Sequence, residues 1–118
     1  GDSTASYFAA TQVNRQRARD EAIEVLQSVV DSASSDDAMK AQALADITQI
    51  AKDMETEANI ETLIKSKGFA DCVAVINGDT ASIVVKSEGL LASQISQINE
   101  IVYEQAGISP VNITIIQK

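Results

Sequence analysis

No histidine and no tryptophan occur among the 118 residues, and cysteine and proline occur once each. Without imidazole the chain lacks the side chain that most often moves protons near neutral pH. His-dependent triads and most zinc centres are excluded with it. The single thiol, Cys72, admits no intramolecular disulfide. Its setting in a strand-like apolar run marks it as a small buried residue. No Gly-rich phosphate loop, nucleophile elbow or Cys pair is present, so any enzyme chemistry would rest on Asp, Glu, Lys and Tyr alone. Aromatic residues make up only 3%, so a core must be built from the Ile, Val, Leu and Ala that dominate an apolar content of 45%. Basic residues are few, nine against seventeen acids for a net charge of −8. That balance argues against nucleic acid or an anionic membrane surface as partner, because both select clustered Lys and Arg. No run of eighteen apolar residues exists, and no signal peptide. The opening Gly1-Asp2-Ser3-Thr4, without Met, reads as the start of an excised piece, with any membrane anchor upstream.

What is present is organised around Phe69 to Lys86. Two β-rich runs flank Asn77-Gly78, a pair suited to the positive φ angles of tight hairpins. A two-residue loop sets Ala74 opposite Ala81, and a four-residue loop sets Ile76 opposite Ala81. Either register gives the same faces. Cys72, Ala74, Ile76, Ala81, Ile83 and Val85 form one; Val73, Val75, Thr80, Ser82 and Val84 form the other. A lone hairpin is marginal in water, so a third strand and covering helices are required. The only other strand-like run is Val111 to Ile116.

Residues 1–6 are small and polar and are expected to fray. From Tyr7 to Val30, Ala18, Ala22, Val25, Leu26 and Val29 recur at helical steps. Arg15, Arg17 and Arg19 precede Asp20, Glu21 and Glu24, and a solvated helix face is the expectation for all six. Residues 31–35 break the pattern, and Asp36 and Asp37 suit the start of a second helix reaching to Lys67. Leu44, Ile47, Ala51, Met54 and Ala58 form a heptad-like seam along it. Residues 31–61 carry eight carboxylates against two lysines. Asp53, Glu57 and Glu61 repeat every four residues, a spacing that a carboxylate metal site could use. Without His or a paired motif, a solvated charged face is again expected, with no metal or cofactor. A third helix follows the hairpin, with Leu91, Ile95, Ile98 and Val102 on one stripe, and Gly107 and Pro110 end it.

These elements predict an α+β chain, with residues 1–55 as an N-terminal helical extension and residues 56–118 as an αββαβ module. A crossover that skips strand one predicts a three-stranded antiparallel sheet in the order 2-1-3, with both module helices on one face. Ile83 is expected under those helices with Ile76, Ile95 and Ile98.

The segment Tyr7-Phe8-Ala9-Ala10, then Arg17-Ala-Arg-Asp-Glu-Ala-Ile-Glu-Val-Leu-Gln27, resembles the start of the extracytoplasmic domain of the stage III sporulation protein AH family. Ile60 to Asp71, the hairpin, and Gly107-Ile-Ser-Pro-Val-Asn-Ile-Thr-Ile115 continue the resemblance, which spans essentially the whole chain. It implies an N-terminal transmembrane helix in the mother-cell membrane, absent from these residues. It also implies a soluble domain in the space between mother cell and forespore, where it binds stage II sporulation protein Q. The C-terminal half is similar to the ring-building motif of type III secretion and flagellar ring proteins. The implied function is a non-catalytic, ring-forming part of a channel joining the two compartments. A secretion-type ring component outside sporulation is the alternative, and a small hydrolase using acid pairs is a third reading without a motif to support it.

If both helices cover one sheet face, Val73, Val75, Ser82 and Val84 on the other are the candidate self-assembly face. Either a neighbouring copy or the chain's own N-terminal extension is expected to cover them. The exposed edges of strands two and three are the expected places for a partner to add a strand.

Overall fold

A computed structural model describes residues 2–118. Its first helix, α1 (Asp2–Asp31), and second, α2 (Asp37–Lys65), form an antiparallel pair joined by residues 32–36. Gly1 lies outside the described residues, and the expected fraying over residues 2–6 is replaced by helix. Asp36 caps α2, its carboxylate accepting from Met39 N at 2.8 Å. With no Pro or Gly inside it, α2 runs unbroken for 29 residues, about 43 Å. It passes through positions 55 and 56 without interruption.

β1 (Cys72–Asn77) and β2 (Thr80–Val85) form the hairpin, with Ile76 opposite Ala81. The turn depends on Gly78 at φ +60°, a left-handed conformation in which a side chain would be strained. α3 (Ala92–Ala106) ends at Gly107, whose φ of +70° lets its N–H bond to Tyr103 O at 2.8 Å. A short 3-10 turn at Pro110–Asn112 leads into β3 (Ile113–Gln117).

The expected strand order is corrected. β3 pairs with β2, in parallel, so the sheet is mixed and ordered β1-β2-β3. The crossover through α3 returns to the strand it left and does not skip one. Pairing β3 with β2 sets Ile113 and Ile115 beside Ala81 and Ile83 on the core face. What favours β2 over β1 is that the outer edge of β1 is already occupied, as described below. The sheet edges are therefore β1 and β3, and β2, expected at an edge, is central.

The hairpin faces are those the alternation predicts. Cys72, Ala74, Ile76, Ala81, Ile83 and Val85 are buried with Ile60 and Ile64 of α2 and Ile98, Ile101 and Val102 of α3. Ile95 does not join them: it is 38% exposed, and Leu91 is more exposed still. The buried stripe of α3 runs through Ile98, Ile101 and Val102, one step round from the expected one. The α2 seam is shifted in the same way. Ala43 is buried where Leu44 was expected, and Leu44, Ala51 and Ala58 face outward.

Candidate functional site

The candidate self-assembly residues do share the second sheet face, but the start of α1 lies over part of it. Phe8, only 2% exposed, packs on Val73 and Val84, with Tyr7 and Val75 at the margin. The two rings meet edge to face with centroids 5.6 Å apart. Lys118 Nζ stands 4.6 Å from the centre of the Tyr7 ring, so the end of β3 is tied to the start of α1. Val73 and Val84 are buried, Val75 is half-buried and Ser82 is exposed. Of the alternatives open in the sequence, the chain's own extension covers the two buried valines. The exposed remainder of this face includes Thr80 and Ser82, together with Thr114 and Ile116, which the parallel register sets beside Ser82 and Val84.

The second feature is the outer edge of β1. Side chains of an antiparallel strand alternate, and so do its backbone groups. Lys86 N bonds to Asp71 O, which places the outward groups of this strand at Cys72, Ala74 and Ile76. At two of these positions both groups are taken by side chains. Glu61 Oε2 accepts from Ala74 N at 2.8 Å, and Arg15 Nη1 donates to Ala74 O. Glu57 Oε2 accepts from Ile76 N at 2.8 Å, and Arg19 Nη2 donates to Ile76 O at 3.3 Å. The four side chains also pair with one another. Arg15 to Glu61 and Arg19 to Glu57 are each 2.7 Å, and Arg15 is 3.7 Å from Glu57.

Glu57 is 1% exposed and Glu61 8%. Such burial is costly unless the charge is paired and hydrogen-bonded, and here each carboxylate has an Arg and a backbone N–H. The compensation is incomplete. Glu57 Oε1 and Arg19 Nη1 have no hydrogen-bond partner among the described residues. The expectation of solvated faces for these residues is therefore corrected for Arg15, Arg19, Glu57 and Glu61. It holds for Arg17, Asp20, Glu21 and Glu24, which are exposed. The available signal was the matched spacing: two cations four apart on one helix and two anions four apart on the next. Asp53 continues the acidic series but is half-buried and accepts from Gln49 at 2.9 Å.

β3 presents the opposite edge. Lys118 N bonds to Val85 O and Ser87 N to Lys118 O, so the alternate residues Ile115 and Gln117 turn their backbone groups outward. Nothing among the described residues pairs with those groups. Cys72 is buried at the rim of the core, and burial, with the Glu61 carboxylate nearby, pushes its thiol from 9.0 up to about 12. No group of three or more His, Cys, Asp or Glu among the described residues could hold a metal ion. No helix among them is long and apolar enough to cross a membrane.

Comparison with known proteins places this geometry. The chain is 32% identical over 101 residues to stage III sporulation protein AH of Bacillus subtilis, covering 83% of this chain and 45% of that protein's length. It superposes with a TM-score of 0.86 and 26% identity on a chain of the SpoIIQ-SpoIIIAH pore forming complex, covering 95% of this chain and 96% of that one. EscJ of the enteropathogenic E. coli type III secretion system is similar with a TM-score of 0.55 and 26% identity, over 62% of this chain and 50% of that one. The SpoIIIAH-like protein family matches residues 1–115. The chain belongs to that family.

Proposed function

We propose that this chain is a non-catalytic, ring-forming component of the channel between mother cell and forespore. In this reading it docks stage II sporulation protein Q in the space between the two membranes, and a transmembrane helix upstream holds the full-length protein in the mother-cell membrane. The observation that carries the reading is the superposition, along nearly the whole of both chains, on a chain of a pore-forming complex. The likeness to EscJ supports ring building and also favours a second reading, a ring component of a secretion-type assembly outside sporulation. Its lower score and partial coverage place it behind the first.

Residues 56–118 act as the ring-building module and residues 1–55 as the helical extension. The β3 edge is the partner's docking place, because its outward backbone groups can accept a further strand. The self-assembly face is the strip at Val75 and Ser82, extended by Thr114 and Ile116; Val73 and Val84 contribute as the floor beneath α1. Size-exclusion chromatography with light scattering, with and without the Q protein's soluble domain, tests the reading. A stable complex of defined mass is expected. Two species eluting independently at all concentrations would overturn it.

A further inference from the structure

An outer strand ordinarily offers its unpaired N–H and C=O groups to whatever strand arrives. At Ala74 and Ile76 this offer has been withdrawn, and the substitution is geometrically close. Carboxylate oxygens take the two N–H groups and guanidinium nitrogens give to the two C=O groups. Those are the parts that the carbonyls and amides of a fourth strand would play. The spacing agrees as well. Four residues of helix advance about 6 Å, and two residues of strand advance about 6.6 Å. Arg15 and Arg19 therefore reach Ala74 and Ile76 in step, and Glu61 and Glu57 reach the same two residues from the opposite direction.

This arrangement is costly. Two carboxylates and two guanidinium groups are withdrawn from water to finish one short edge, whereas an edge left facing water needs no partner from its own chain. The other edge, β3, is left open. A sheet with two open edges in one chain can join β1 of one copy to β3 of the next, a head-to-tail contact that propagates unless its rotation closes. Net charge opposes this only at low salt, since charges on separate molecules are screened within about 8 Å at physiological ionic strength.

We infer that Arg15, Arg19, Glu57 and Glu61 form a strand surrogate that stops a second copy of this chain from adding its β3 to β1, so that the sheet grows only at its own β3 edge. The inference rests on strand addition at β3 in the proposed function, and it assigns to the sheet a single reactive edge. It gives the buried ion pairs a role in choosing partners as well as in folding.

The test uses the full 118-residue chain and Glu57→Ala/Glu61→Ala, which bares both N–H groups. Light scattering across a wide concentration range should show the parent at constant mass and the variant rising to dimer and beyond. Adding Gln117→Pro, which removes an outward N–H from β3, should move the variant's association to higher concentration, by up to roughly tenfold. The isosteric variant Glu57→Gln/Glu61→Gln removes both negative charges while keeping an amide oxygen to accept each N–H, and should stay monomeric. If the double alanine chain does not fold, Glu61→Ala alone, baring only the Ala74 N–H, goes through the same arms. A folded variant that stays monomeric, or association unaffected by Gln117→Pro, overturns the inference. So does a Gln variant that associates as strongly as the alanine one, since charge and not edge occupancy would then be the barrier. Binding of the Q protein by the parent is measured alongside, so loss of the proposed partner reading is seen separately.

Discussion

Arg15 and Glu61 are 46 positions apart in the chain, yet Arg15 Nη1 and Glu61 Oε2 are 2.7 Å apart. The same carboxylate oxygen holds the Ala74 N–H at 2.8 Å. Two helices and a strand thus converge on one atom. The helical pair and the sheet are coupled there by polar contacts, in addition to the apolar contact at Phe8. Disturbing this point should be felt in all three elements at once.

Arg19→Ala should be among the most damaging polar substitutions. It leaves Glu57, 1% exposed, with a buried charge and no guanidinium within hydrogen-bond distance. Breaking a buried pair on one side costs about 3–5 kcal/mol. The low end is expected, because Arg19 keeps some exposure and Arg15 remains 3.7 Å from Glu57. Urea unfolding measures it. Arg17→Ala, at an exposed neighbouring position, should change stability by no more than about 0.5 kcal/mol. Equal effects at the two positions would mean that the paired geometry contributes nothing.

Phe8 tests the other attachment of α1. Truncating a buried Phe costs about 3–5 kcal/mol. Phe8→Ala should reach the lower part of that range and should speed amide exchange in the first turns of α1. Val13→Ala, at a position 56% exposed, should be nearly silent. A Phe8 variant as stable as the parent would mean that the start of α1 does not hold the sheet face.

Much of this fold is written in short-range pattern, and the parts that are not have specific causes. Alternation along Cys72–Asn77 and Thr80–Val85 assigns both hairpin faces correctly, because a period of two admits only two answers. The place of β3 is not legible that way. Ile113 and Ile115 are equally apolar neighbours for either edge, and the choice is made by four charged residues on distant helices. Those charges look solvated one helix at a time. Only when α1 and α2 are set antiparallel do Arg15 and Arg19 fall against Glu61 and Glu57. The shifts from Leu44 to Ala43 and from Ile95 to Ile101 have a common origin. A helix packed on two neighbours buries a stripe set by both, and heptad counting sees only one.

The shift on α3 carries its own prediction. Ile98 is 1% exposed and Ile95 38%. Ile98→Ala should therefore cost about 2–5 kcal/mol, whereas Ile95→Ala should cost less than about 1 kcal/mol. Thermal and urea unfolding of the two variants checks the order. A larger loss at Ile95 would restore the stripe expected from the sequence.

Cys72 predicts an inert thiol with a pH signature. Its pKa is raised in the folded chain to about 12 from 9.0, first by burial and then by the Glu61 carboxylate. A raised folded pKa gives stability that is complete below the unfolded value and is lost as pH climbs through the folded one. Between about pH 9 and 12 the unfolded chain ionises this thiol and the folded chain does not, so folding should weaken over that window. Cys72→Ala should remove that part of the alkaline decline, seen by urea unfolding at stepped pH. Alkylation of native protein at neutral pH should be slow, and rapid labelling would show that the strand opens readily.

The second sheet face separates folding from assembly by position. Val84→Asp places a carboxylate in the apolar contact with Phe8 and should unfold the chain or cost several kcal/mol. Ser82→Asp, on the same strand and face but exposed, should fold within about 0.5 kcal/mol of the parent. If neighbouring copies meet at the strip of Ser82, Thr114 and Ile116 once the Q protein's soluble domain brings them together, the combination Ser82→Asp/Ile116→Asp should lose that higher assembly and keep partner binding. Gln117→Pro should do the reverse. It deletes one outward N–H from β3, and a hydrogen bond of about 0.5–1.5 kcal/mol corresponds to a loss of affinity of up to roughly tenfold. The chain should still fold, because an outward N–H on an edge strand is a place where Pro is tolerated, at the loss of the bond from Leu90 N to Gln117 Oε1 at 3.0 Å. Partner binding measured by calorimetry and assembly by light scattering should therefore respond to different members of this pair. If both variants lose both properties, the edge and the face belong to a single interface.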